Sequence, residues 1–87
     1  MNKEQLTEKL NEKFDETLGY KPSFEIVDWE TGKDFPEYST IVIKWKGKIE
    51  YWEIQVIEEY LDDNPWIEPW DGDYLSLLVS YKDKAQN

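Results

Sequence analysis

The side chains available for chemistry in this chain are almost entirely carboxylates and aromatic rings. Twenty Asp and Glu stand against ten Lys, and there is no His, no Cys and no Arg. The acids are not spread evenly. Residues 49–73 hold nine carboxylates and no Lys, with Tyr51, Trp52, Tyr60, Trp66 and Trp70 threaded among them. Elsewhere the charges nearly cancel, so most of the formal charge of −10 belongs to this one segment. Gathering like charge raises a fold's self-repulsion beyond what solubility requires, which marks the segment as a candidate binding surface.

The same inventory excludes most catalysis. His is the commonest general acid–base group and Cys the most nucleophilic side chain, and both are absent. Ser23, Ser39, Ser76 and Ser80 have no His to activate them, and no Gly-rich loop offers a phosphate nest. Two carboxylates can hydrolyse glycosides, but among twenty acids a chance pair is expected and carries no information. The chain therefore reads as a non-enzyme with no catalytic residues and no cofactor. Asp62-Asp63-Asn64 and Asp71-Gly72-Asp73 are clusters of oxygen ligands, but neither fits the twelve-residue frame of an EF-hand, so no metal site is expected. The acidic excess opposes direct binding to nucleic acid and to anionic lipid. No apolar run approaches the ~18 residues of a membrane span. A chain without Cys fits a cytoplasmic protein.

The positioning elements can be read from periodicity. Leu6, Leu10, Phe14 and Leu18 recur every four residues, which predicts an amphipathic helix over residues 2–18. Asn2 with Gln5 resembles a capping box, and Gly19 suits the left-handed end of that helix. Glu4, Glu8, Glu12 and Glu16 share the same period on the opposite side, a row of carboxylates about 6 Å apart. Residues 23–30 read as a strand after Pro22, followed by a turn at Thr31–Asp34. Residues 39–46 and 49–57 read as a hairpin around Gly47-Lys48, with Ile41 opposite Ile54 and Ile43 opposite Trp52. Residues 58–73, interrupted by Pro65 and Pro69, read as a long acidic aromatic loop. Residues 74–82 alternate as a strand, although Tyr74, Leu77, Leu78 and Tyr81 also have helical spacing. The tail from Asp83 is expected to fray.

The expectation is one domain spanning residues 1–87, of α+β class, with a helix packed on an antiparallel sheet of about four strands in the order α-β-β-β-β. If the last element were helical, the order α-β-β-β-α would resemble the double-stranded-RNA-binding module in topology, without that module's basic residues. The candidate partner-binding residues are Glu58, Glu59, Tyr60, Asp62, Asp63, Trp66, Glu68, Trp70, Asp71 and Asp73, with the row Glu4, Glu8, Glu12 and Glu16 second. Regular carboxylates interspersed with flat rings imitate a nucleic-acid surface, and a basic groove attracts them by the same electrostatics. In charge, size and architecture the chain resembles phage-encoded DNA-mimic inhibitors, among them anti-CRISPR proteins, anti-restriction proteins and uracil-DNA glycosylase inhibitors. That resemblance implies a basic, nucleic-acid-binding protein as partner. Two other functions fit the composition: an immunity protein that neutralises a toxin nuclease, and a small carbohydrate- or peptide-binding module that uses Trp66 and Trp70.

Overall fold

Helix α1 spans Lys3–Leu18 in a computed structural model that describes residues 1–82. The expected fraying from Asp83 lies outside the described residues. Both ends of α1 are set by the residues that sequence singled out. The Asn2 side chain accepts from the Gln5 N–H at 2.9 Å, and the Gln5 side chain accepts from the Asn2 N–H at 3.0 Å. Gly19, at φ 80°, closes the other end by donating its N–H to the Asp15 carbonyl. Leu6, Leu10 and Phe14 are fully buried beneath the helix.

Four antiparallel strands follow: β1 (Phe24–Thr31), β2 (Tyr38–Lys46), β3 (Trp66–Pro69) and β4 (Tyr74–Lys82). They lie in the order β1-β2-β4-β3. The helix-on-sheet architecture with four strands and a final strand at 74–82 is as the sequence predicts, and the alternative helical ending is overturned. Since β2 and β3 are both antiparallel to β4, they are parallel to each other, and the chain between them must cross over the sheet.

That crossover corrects the expected hairpin. Residues 49–57 are not a strand; Tyr51–Leu61 forms a second helix, α2. The element order is therefore α-β-β-α-β-β, and β2 takes β4 rather than residues 49–57 as its second neighbour. The physical reason lies in the apolar pattern beyond residue 57. A helix buries Glu53, Val56, Ile57 and Leu61, one face at a spacing of three or four residues. A strand ending at Ile57 would leave Leu61 stranded. Fully burying Val56, Ile57 and Leu61 is worth roughly 1.5–3 kcal/mol each. Meanwhile Leu75, Leu77, Val79 and Tyr81 alternate along β4 to fill the place beside β2. Gly47 keeps the positive φ expected at its position, 80°, but its N–H bonds the Asp73 carbonyl in the β3–β4 turn instead of closing a hairpin.

Residues 58–73 also contain more structure than a loop. Glu58 to Leu61 finish α2, Asp62 ends it in the left-handed region at φ 56°, and residues 66–69 pair with β4 as β3. Pro65 is buried and Pro69 sits on this short edge strand, where a missing N–H costs no ladder bond.

Both helices cover one face of the sheet. Leu6, Leu10 and Phe14 of α1 and Val56, Ile57 and Leu61 of α2 form one core with Ile26, Ile41, Ile43, Trp45, Leu77, Val79 and Tyr81. Aromatic packing organises its end: Phe24 stacks on Trp45 at 5.6 Å and 10°, and Phe14 meets both edge-on. Among the described residues no helix lies on the opposite face. The two edges of the sheet are blunted. β1 has a bulge between Ile26 and Asp28 and three outward acids, Glu25, Asp28 and Glu30, while β3 is only four residues long.

Candidate protein-binding surfaces

The structure divides the predicted site between two sides of the molecule. Glu4, Glu8, Glu12 and Glu16 are all exposed along the outer side of α1. Lys9 pairs with Glu12 at 3.7 Å and Lys13 with Glu16 at 3.9 Å, exposed contacts worth little in water. Glu58, Glu59, Tyr60 and Asp62 belong to the C-terminal half of α2 and its cap. The Tyr60 hydroxyl joins the two helices electrostatically: burial, together with Glu12, holds it above its ordinary value against the opposing pull of Lys9. The acids of α2 and the row on α1 thus share the helical layer.

Trp66 and Glu68 lie on the other side. In β3, Trp66 pairs with Leu78 and Glu68 with Ser76, both on the face away from the core residue Leu77. Trp70 continues that side, bonding its N–H to the Tyr74 carbonyl. Trp66 is 65% exposed, and Trp70 and Leu78 are each 44% exposed. Asp71 and Asp73 sit exposed in the β3–β4 turn. A segment that is continuous in sequence therefore places Glu58, Glu59 and Asp62 in the helical layer, Glu68 with Trp66 and Trp70 on the uncovered sheet, and Asp71 and Asp73 in the turn.

Several of the nine carboxylates hold the fold together. Asp63 Oδ2 accepts the Ser80 N–H at 2.8 Å, satisfying β4 just beyond the end of β3. Glu68 Oε1 accepts the Trp66 indole N–H at 2.8 Å. Glu53 is 5% exposed and lies beside no cation among the described ion pairs. Its Oε1 accepts the Glu50 N–H at 2.7 Å at the start of α2, and its Oε2 accepts the Tyr20 hydroxyl at 3.0 Å. Tyr20 in turn receives the Trp52 indole N–H at 2.8 Å. Partial desolvation, with the Glu53 and Glu50 carboxylates, holds the Tyr20 hydroxyl above its usual range, although the Trp52 bond pulls the other way. Among the described residues Glu58, Glu59, Asp62, Asp71 and Asp73 make no such side-chain bond, and no three acids converge as a metal site would need.

Sequence reasoning missed three groups of exposed and half-buried residues. Tyr20 and Trp52, half-exposed and hydrogen-bonded to each other, link the end of α1 to the start of α2, where Tyr51 stands exposed beside Trp52 in sequence. Leu78 and Val42 extend the Trp66 row across the sheet. Lys44 places its ammonium 4.3 Å from the Tyr74 ring centroid and 5.5 Å from that of Trp70. A strand assignment for 49–57 turned Trp52 inward, which hid the first group. For the second, strict alternation in 74–82 was sufficient: if Leu77 is inside, Leu78 is outside. Comparison of the chain with family models, with curated proteins and with solved structures returned no match in any of the three.

Proposed function

We propose that this chain is a small acidic protein-binding inhibitor that occupies the nucleic-acid-binding surface of a basic partner, a DNA- or RNA-binding protein or nuclease. One observation carries the reading. Of the nine carboxylates in residues 49–73, only Glu50 stands within 4.0 Å of a Lys among the described residues. The negative field of α2 and the β3–β4 turn is thus left for an external cation to neutralise. The row on α1 adds regularly spaced charge to the same helical layer, and the exposed rings supply the kind of side chain that dominates interface energetics.

The test is competition. The tagged protein is used to capture partners from the heparin-binding fraction of host lysate, and each captured protein is assayed with its own DNA or RNA. The expected result is mutual exclusion of the nucleic acid and this chain, with affinity falling steeply between 50 and 200 mM salt, as about six to ten phosphate contacts would on a nucleic-acid ligand. Neutralising the helical layer by Glu58→Gln, Glu59→Gln and Asp62→Asn should weaken the complex more than Glu25→Gln with Asp28→Asn. Partners that are acidic, that bind independently of salt, or that hold nucleic acid and this chain together would overturn the reading. An immunity protein would use the same charges, and the identity of the captured nuclease distinguishes that case.

A further inference from the structure

We infer that the uncovered face of the sheet is a second docking surface, built for an extended segment of the same basic partner that alternates apolar side chains with Arg or Lys. The inference rests on the reading above that the partner is basic. Asp28, Val42, Leu78 and Trp66 stand in one row across all four strands, because Val42 pairs with both Asp28 and Leu78, and Leu78 with Trp66. The row is apolar in its middle and acidic at its β1 end. At its other end the Trp66 indole is bonded to Glu68, which holds a carboxylate against the edge of a ring whose face is open. A guanidinium laid on that face can pair with the adjacent carboxylate, so the two groups form a site for a cation.

The molecule already uses this chemistry within itself. Lys44 occupies Tyr74 and Trp70 one row away, and among the described residues no Lys lies over Trp66. Glu25 and Glu30 extend the acidic border along β1, and the cations of the face are Lys44 and Lys46 to one side of the row and Lys82, seated over the Tyr38 ring, to the other. An apolar strip bordered by carboxylates, with its one nearby ammonium already seated on rings, selects a cationic amphipathic ligand over an anionic one. A shallow groove lined by Trp66, Glu68, Ser76 and Leu78 gives the ligand's first side chain its seat.

The probe is a twelve-residue synthetic peptide alternating Arg and Leu, compared with its Glu-for-Arg counterpart and with cellohexaose, on the full chain labelled with ¹⁵N. The expected result is movement of the Trp66 indole resonance and of the Val42, Ser76 and Leu78 amides with the Arg peptide alone. Trp66→Ala and Leu78→Ser should each weaken that binding at least about tenfold, the scale of an interface hot spot, with the circular dichroism spectrum unchanged. The triple variant neutralised at Glu58, Glu59 and Asp62 should retain these shifts. Shifts confined to α1 and α2 would overturn this inference and leave the proposed function standing. An equal response to the Glu peptide or to cellohexaose, or no response on the sheet at all, would also overturn it. The nucleic-acid competition above decides the proposed function independently.

Discussion

Leu77 and Leu78 are neighbours in β4, yet Leu77 is sealed in the core while Leu78 stands 44% exposed on the other side of the sheet. The same contrast holds for the aromatics. Trp45 is buried against Phe14 and Phe24, whereas Trp66 is bonded only at its edge and leaves its face to water. The covered face is explained by folding: its buried side chains form one core with the two helices. On the uncovered face, folding accounts for the backbone and leaves the choice of Trp and Leu unexplained. An antiparallel sheet can leave one face in water with polar side chains. Large apolar residues placed there point to contact with something outside the chain.

Stability measurements can break that contrast. Trp45→Ala should have the largest effect, about 3–5 kcal/mol by chemical denaturation, enough to unfold much of a domain of marginal stability. Leu77→Ala should cost about 2–5 kcal/mol, whereas Leu78→Ala should stay within about 0.5 kcal/mol. Equal losses at the two leucines would mean that the outer face is also packed in the free protein. Asp63→Ala removes the acceptor from the Ser80 N–H and should cost about 1 kcal/mol. Trp66→Ala, on the outer face, should again fall within about 0.5 kcal/mol.

The smallest effect concerns pH. Tyr20 and Tyr60 both titrate above the free phenol in the folded protein, so folding favours their protonated forms. Their contribution is complete below pH about 10, the value in the unfolded chain, and is lost as pH rises through the raised folded values. Tyr20→Phe with Tyr60→Phe should flatten the alkaline end of the stability profile, and absorbance near 295 nm should lose the phenolate signal that these two side chains contribute at high pH.

Legibility in sequence followed the number of independent signals at each element. For α1, the leucine period, the Asn2 cap and Gly19 agreed, and every one of them operates in the fold. The strands at 23–30, 39–46 and 74–82 were found within a residue or so of β1, β2 and β4. Residues 49–57 failed because Trp52, Ile54 and Val56 alternate like a strand while Val56, Ile57 and Leu61 follow a helix. Nine residues contain too little pattern to separate the two periods. Extending the window to Leu61 would have favoured the helix, and Glu50 with Glu53 supplied its start. The candidate site was legible as a list of exposed acids and rings but not as a surface. Its division between helices and sheet depends on a crossover that local sequence does not encode.

The bulged, acidic edge at β1 and the four-residue edge at β3 have a consequence for behaviour at high concentration. Neither offers a long straight run of unpaired backbone, so one molecule cannot extend the sheet of the next and fibre growth has no template. When salt screens the net charge of −10, the exposed rings and Leu78 are the surfaces left for molecules to meet through. The expected product of concentration is an associate that dissolves on dilution rather than a fibre.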